Sequence, residues 1–468
     1  MEERPPDDRP SGAGPRIGVW GPFDLEGLGE ALYPRVVRSE LARRLPAAPV
    51  RGYAPRGHLR PTRFDGGEPA EPLGGFVDER RRALAAELDC VVVGGLDLSE
   101  LGGHGALAER YGAQAQEVRA EGSLRYLVEG LGPELERRCP ILWHAVEVSA
   151  SIAPEDAVVV RDATRGRPLL IARDEGSRDR LRSAGIGPGI EVGPDPAVLA
   201  SRVFAPALLR RRLAWLRFMG WYPVEGEAVV LQGAAGDVGS AARIATAAAR
   251  VVEDRPGSSL VLLPTGPGDG DFAEAVAQEV PEAVRLPDEI GVEDIVAALA
   301  ACSVFVGTSY HAHLVAMAYR RPQIVLPVSE RPALAELADL LGQRFLDVEA
   351  GLVKTVQRAE EAAASPAGPR ARLRAAADGH LDRIAAIALE SDGRRPARGP
   401  GRVARPVDPS AARARQVQAR RLALARSSLA DRDAERRRAL IAPVLHAEWR
   451  VRKALRLPYR VLRGWVRR

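Results

Sequence analysis

The sequence predicts an α/β protein made of two consecutive doubly wound, parallel halves, followed by a basic helical tail. Three observations carry this. Short apolar runs alternate with helix-patterned stretches along the first 390 residues, the pattern of parallel strands buried on both faces. A stretch rich in aromatic residues and proline, 201–227, interrupts that alternation once. Charge is split sharply: residues 391–468 carry 22 basic and 6 acidic side chains, net +16, which leaves 45 basic against 56 acidic residues and a net charge of −11 on the body.

Taken in chain order, residues 1–15 are too polar and proline-rich to form a core and are expected to be disordered. Arg16–Trp20 predicts a strand, and Leu28–Leu45 the helix after it. Residues 46–75 form loop with one strand near Val50–Tyr53. A helix over Asp78–Glu87 leads into a buried strand, Cys90–Gly94. Ile141–Val148, Ala157–Arg161 and Leu169–Ala172 complete the strands of the first half, which spans 16–200. After the 201–227 connection, the second half, 228–390, has strands at Ala228–Gln232, Ser259–Pro264, Ala283–Leu286, Val304–Gly307 and Gln323–Pro327. Its helices fall at Ser240–Glu253, Phe272–Glu279, Val292–Ala301 and His311–Tyr319. Residues 391–410 are a linker of Pro, Gly and Arg, and 411–468 a helix-prone tail with Trp449, Tyr459 and Trp465 among arginines, broken at Pro443 and Pro458.

Composition narrows the function classes. The chain is 46% hydrophobic with 468 residues, the profile of a globular protein. Cys90, Cys139 and Cys302 are widely spaced, so neither a disulfide framework nor a cysteine zinc site is expected. No apolar run is long enough to span a bilayer, and the opening residues lack the core of a signal peptide, which predicts a cytoplasmic protein. Asp269 and Asp271 lack the spacing of a calcium loop, the glycine turns at Gly102-Gly103, Gly233 with Gly236 and Gly266–Gly270 match no dinucleotide or P-loop fingerprint, and no metal site is expected.

Two segments carry candidate chemistry. In Val304–His313 a buried strand ends in small polar residues and a helix begins at once, a junction that offers unpaired backbone N–H groups to an anion. Ser309 serves there either as a helix cap or as a ligand contact. His311, in the first turn, faces the same anion and is suited to carry a proton, whereas His313, two residues on, points elsewhere. In Ile171–Ser177 a second strand ends at Arg173-Asp174, with Ser177 near the next helix start. Arg173 either grips an anion or pairs with Asp174 as a structural cap.

These pieces resemble the polysaccharide pyruvyl transferase family over about residues 16–350. The glycine turn and helix at Gly21–Leu45, the strand end Val93-Gly94-Gly95, the "RD..S" element Arg173, Asp174, Ser177 with its downstream Asp195-Pro196-Ala197, and Ser309-Tyr310-His311 before Ala316 and Pro322 follow the family's order. The resemblance implies two Rossmann-like domains facing across a cleft, a GT-B-like fold, and transfer of pyruvate from phosphoenolpyruvate to a sugar of a cell-surface glycan, with no cofactor beyond that donor. On this reading His311, Asp174 and Glu30 are the catalytic candidates, with Asp174 and Glu30 alternative bases. Arg173, Ser177, Ser309, Tyr310, Gly94, Gly95 and Gln232 are the substrate-binding candidates. The chain departs from the family at Ser309, where the motif has arginine, at Gly27-Leu28-Gly29-Glu30, at Leu96 and at Glu147, where a glycine is expected. Loss of that arginine removes a charge-assisted contact worth about 1.5–3 kcal/mol.

Two other readings stand beside it: a GT-B glycosyltransferase using a nucleotide sugar, and a catalytically silent member that binds glycan or a partner. Partners implied are a sugar or lipid-linked glycan acceptor and, through residues 411–468, an anionic membrane surface at the inner face of the plasma membrane. A nucleic-acid partner is not expected, since no nucleic-acid-binding pattern accompanies the basic tail.

Overall fold

A computed structural model describes residues 14–57, 70–73, 78–100, 139–187, 189–266, 269–288, 290–326, 332–343, 348–365 and 368–393, together with Tyr111, Leu127 and Leu131. The expected tail (411–468), Gly102-Gly103, most of the expected disordered start and the linker beyond Gly393 lie outside the described residues.

The first half runs β1 (Ile17–Trp20), α1 (Leu28–Arg44), β2 (Val50–Ala54), β3 (Glu71–Pro72), α2 (Asp78–Glu87), β4 (Cys90–Gly94), β5 (Ile141–Val146), α3 (Pro154–Thr164), β6 (Leu169–Ala172), α4 (Glu175–Ser183) and β7 (Glu191–Val192). Its seven strands pair in parallel in the order β3-β2-β1-β4-β5-β6-β7, the doubly wound arrangement. Ile17 sits opposite both Val50 and Cys90, so β1 is flanked on each side and the order reverses beside it.

A 3₁₀ turn (Pro196–Leu199), α5 (Ala200–Val203) and α6 (Pro206–Phe218) lead into the second half. This contains β8 (Ala228–Leu231), α7 (Ala241–Glu253), β9 (Ser259–Leu262), α8 (Asp269–Glu279), β10 (Val284–Arg285), α9 (Val292–Ala301), β11 (Val304–Gly307), α10 (Tyr310–Ala318) and β12 (Gln323–Val325). Helices α11 (Pro332–Leu340), α12 (Val348–Ala364) and α13 (Pro369–Gly393) close the described chain. The second sheet repeats the logic of the first, β10-β9-β8-β11-β12, again all parallel. Two Rossmann-like halves in tandem are the GT-B-like class the sequence predicts.

Alternation along the strands assigns each face to a core. Ile17, Val19, Cys90 and Val92 of the first sheet and Ala228, Val230 and Phe305 of the second share one hydrophobic cluster, so a single core runs through both halves. Trp20, Val91, Val93 and Trp143 face the outer core of the first half. Val229, Leu231, Val304 and Val306 face that of the second. All three cysteines are buried free thiols, and burial pushes Cys90 and Cys302 up to about 12, leaving them inert.

One predicted strand is a helix. Ala157–Arg161 lies inside α3, which starts with Pro154 at its first turn. Ala157, Val160 and Ala163 turn inward while Val158 and Val159 stay exposed; the run of valines has helical, not alternating, spacing. Strands β3 and β7, two residues each, have no counterpart in the sequence reading.

Helix α13 follows the second sheet in sequence but packs against α1, β4 and the 196–199 turn of the first half. It buries Ala377, Leu381, Ile384 and Ala388. Asp378 accepts from Arg44 at 2.8 Å and from both terminal nitrogens of Arg202 at 2.6 and 2.7 Å, and Arg44 also reaches the buried Glu40. Burial alone would raise the Glu40 carboxyl, but hydrogen bonds from Arg43 and Arg44 hold it below the usual range.

Helix ends are closed in a shared way. At the end of α4, Gly185 takes φ +75° while its amide and that of Ile186 bond back to Arg182 and Leu181. The end of α10 makes the same pair of bonds, Arg320 to Met317 and Arg321 to Ala316, but Arg320 holds the left-handed position at φ 58°.

Candidate functional site

In parallel sheets, side chains just beyond the carboxyl ends of strands converge on one edge, where order reversal leaves a crevice. Every candidate from the sequence lies on that edge, Glu30 included, one residue after the Gly29 that meets His311. Glu30 belongs to the first turn of α1, and its carboxylate folds back on Gly27, where a β-carbon would lie 2.1 Å from Oε2.

Beyond β11, Ser309 caps α10 by accepting from the Ala312 amide at 3.4 Å. The following turn presents Tyr310 and His311. The His311 ring lies against the first turn of α1, so tightly that a β-carbon on Gly29 would come within 2.3 Å of Cε1. Its Nε2 is 3.4 Å from Oδ2 of Asp195, which is 1% exposed. Asp195 comes from the short stretch after β7, where it also accepts from the Ala197 amide at 2.8 Å. Burial opposes its charge, yet the His311 imidazole, the Ala197 amide and Arg173 together hold Asp195 below the ordinary carboxylate range.

Arg173 follows β6 and lies with its guanidinium 4.3 Å from the centre of the Tyr310 ring, whose edge meets His311 at 5.6 Å between centroids. The same guanidinium is ion-paired with Glu147, and its Nε is 3.8 Å from Asp174 Oδ2. Although burial disfavours the cation, the neighbouring Glu147, Tyr310 and Asp174 raise the Arg173 pKa, so its charge is permanent. Burial in turn pushes the Glu147 carboxyl up, against the pull of Arg173. Asp174 caps α4 by accepting from the Ser177 amide at 2.6 Å, while its Oδ2 is buried and makes no hydrogen bond. Ser177 is enclosed, its Oγ accepting from the Val148 amide at 3.0 Å. The amides that start α4, Glu175 and Gly176, donate to Glu336 of α11 at 3.0 and 2.6 Å, so a carboxylate from the second half occupies that helix terminus.

The structure thus brings His311, Tyr310, Arg173 and Asp174 to one seam between the halves. The others serve as its frame. Both ends of the Gln232 amide are engaged, Oε1 accepting from Thr308 N and Nε2 donating to Asp269 Oδ2, each at 3.1 Å. Gly94 and Gly95 hold Tyr33: a β-carbon on Gly94 would be 2.0 Å from the Tyr33 hydroxyl oxygen. His313 is buried with ring nitrogens 3.0 Å from Gln323 Oε1 and from the Gly307 carbonyl, a structural role. Asp269 accepts from the Thr265 amide and hydroxyl and from Gly266. Among the described residues no three His, Cys, Asp or Glu side chains converge in the manner of a metal site.

The sequence reading did not assign site roles to Asp195, Tyr33, His144 or Glu336. Tyr33 and His144 Nδ1 are 2.8 Å apart, and His144 Nε2 is buried without a hydrogen-bond partner. Burial, and then the nearby His380, lower His144 to about 3, so it is neutral in the folded protein. His144 had one available signal: a polar residue inside the apolar strand Ile141–Val146 must have a buried partner. Beside it, Ala145 takes φ 52° where the β5–β6 register shifts, a strained position of the kind that clusters at functional sites.

Comparison with known proteins gives two kinds of likeness. The chain is similar in fold to the UDP-GlcNAc 2-epimerase of Neisseria meningitidis bound to UDP-GlcNAc (12% identity, 79% of this chain and 98% of that one, TM-score 0.46). It is similar to the UDP-GlcNAc 2-epimerase of Methanocaldococcus jannaschii (11%, 79% and 99%, TM-score 0.48). A third is the ADP-heptose LPS heptosyltransferase II of E. coli (15%, 73% and 99%, TM-score 0.36). No curated protein sequence matches significantly. The sequence profile of one family matches residues 150–330, the stretch that supplies Arg173, Asp174, Asp195, Tyr310 and His311, and that family is polysaccharide pyruvyl transferase.

Proposed function

We propose that the protein is a pyruvyl transferase-like enzyme that moves the three-carbon unit of phosphoenolpyruvate onto a sugar of a cell-surface glycan. The observation that carries this reading is the His311–Asp195 pair, set over Gly29 beside Arg173 and Tyr310 in the segment that matches the family.

The chemistry needs a proton delivered to the enol methylene and another removed from a sugar hydroxyl. One hydroxyl adds to C2 of the donor as the methylene becomes a methyl. The C2–O bond to phosphate then breaks, and a second hydroxyl closes the ketal, releasing inorganic phosphate and the remaining proton. His311 is placed to give and take these protons, with Asp195 orienting the imidazole and balancing its positive form. Asp195 therefore replaces Asp174 and Glu30 as the carboxylate of the proposed machinery. Asp174 Oδ1 caps α4, and the Glu30 carboxylate folds back on Gly27, whereas Asp195 is the carboxylate within reach of the imidazole. Arg173, stacked on Tyr310, supports the site electrostatically.

The test is phosphate release from phosphoenolpyruvate with a glycan acceptor. His311→Ala and Asp195→Asn should each lose 10²–10⁴-fold in rate while keeping the wild-type melting temperature. Wild-type protein that neither binds phosphoenolpyruvate nor releases phosphate would overturn the proposal. One observation favours a second reading, a sugar-binding protein without turnover: Glu147 and Glu336 hold Arg173 and the α4 terminus, two places where an anionic donor would find positive charge. Acceptor binding without phosphate release would select it.

A further inference from the structure

Helix α6 has two unlike faces. Leu209 and Leu216 are buried, and Arg212 Nε donates to Asp294 at 2.7 Å. Ala207, Arg210, Arg211, Ala214, Trp215 and Phe218, spaced i, i+3, i+4, i+7, i+8, i+11, form one exposed stripe. Phe218 is 81% exposed and Trp215 45%, with ring centroids 6.0 Å apart, and Val224 beyond the helix is 69% exposed. Between Arg210, Arg217, Phe218 and Val224 lies an open groove of about 520 Å³. An aromatic pair and a valine left in water on one surface are the mark of an interaction site.

On the helix the charges beside the rings are all cations, with one exposed carboxylate, Glu225, past Val224 at the far end of the patch. Among the described residues Arg210 and Arg211 have no acidic partner, and the Arg217 side chain donates to the Pro223 carbonyl. Two cations flanking exposed Trp and Phe on a helix lying along the surface match an anionic lipid headgroup layer, into which the rings insert while the arginines stay at phosphate level. The same charges disfavour the other occupants. The tail beyond residue 391 is itself strongly cationic, and a two-fold contact with a second copy would set arginine against arginine. We propose that the outer face of α6 docks on an anionic membrane surface. This stands independently of the catalytic reading.

The native cysteines are buried, so full-length Ala214→Cys can be labelled selectively on this face with an environment-sensitive fluorophore. Vesicles containing phosphatidylglycerol should shift its emission to the blue, while phosphatidylcholine vesicles should not. Adding Arg210→Glu with Arg211→Glu should weaken vesicle binding at the label at least tenfold, and adding Trp215→Ser with Phe218→Ser should remove the blue shift. Three results would overturn the proposal. One is protein that pellets with anionic vesicles while the label stays silent, since binding then lies elsewhere. Another is an equal shift with neutral vesicles. The third is a shift that appears without vesicles and grows with protein concentration, which would mean self-association.

Discussion

Gly29→Ala isolates the contact between the two halves at the heart of the proposed site. A β-carbon there would stand 2.3 Å from Cε1, 2.6 Å from Nδ1 and 2.8 Å from Nε2 of His311. Ordinary carbon contacts lie near ~3.5–4.0 Å, so the ring must retreat by about 1 Å or more. His311 is partly exposed at 24% and can swing outward, and Ala is a better helix former than Gly by about 1 kcal/mol. The stability change should therefore stay within about 1 kcal/mol. The functional cost is different, because the Nε2–Asp195 separation of 3.4 Å has no slack. A misplacement of about 1 Å typically costs about 10²-fold in rate, near 2.7 kcal/mol of barrier. The assay pairs phosphate release with urea melts, and reads the His311 imidazole resonances by NMR so that ring displacement is seen whatever the rate. Gly236→Ala, where nothing lies within 4 Å, is the control. Unmoved His311 resonances and an unchanged rate in Gly29→Ala would refute the reasoning.

Arg320→Gly should stabilise the protein by about 0.5–1 kcal/mol, by relieving the left-handed arginine at the end of α10; a raised urea midpoint at unchanged slope checks it. His144 and His313, lowered by burial to about 3 and about 4, bind their proton only when unfolded. Stability should therefore fall as pH drops below about 6.5, by up to about 1.4 kcal/mol per unit for each, and His144→Gln should flatten that limb in pH-dependent melts. Asp378, held at about 2 first by Arg202 and then by Arg44, contributes stability that is complete above about pH 4 and is lost between about 4 and 2. Asp378→Asn should remove that lower limb and cost about 1 kcal/mol at pH 7, allowing for screening at a partly exposed site.

The long elements were legible because their buried positions follow local periodicity: Cys90–Gly94 and Val304–Gly307 read as strands and are strands. Ala157–Arg161 misled because β-branched valines mimic a strand when the register of burial is unknown. The two-residue edges at Glu71 and Glu191 are too short to show any period. At the site, the Arg173-Asp174 alternatives resolve into a helix cap with an ion pair, a local arrangement that sequence can pose but not decide. The His311–Asp195 pair was beyond local reading, since 116 positions separate its members and only the packing of α10 on the 196–199 turn unites them. Glu147 shows how a departure acts: where the family pattern has glycine, the carboxylate here engages Arg173.

The return of α13 to the first half sets a schedule on the ribosome. The surface formed by α1, β4 and the 196–199 turn needs Ala377, Leu381, Ile384 and Ala388 to cover it, and those residues are synthesised almost two hundred positions after the surface they close. At about 5–20 residues per second, that is roughly 10–40 s during which the emerging chain holds an apolar face without its lid. Cutting the gene at residue 227 would make that interval permanent. Excised as a unit, the N-terminal half should be insoluble alone, and α13 supplied in trans or fused behind it should restore only part of its solubility, because α6 and the 196–199 turn also lose α9 and α10.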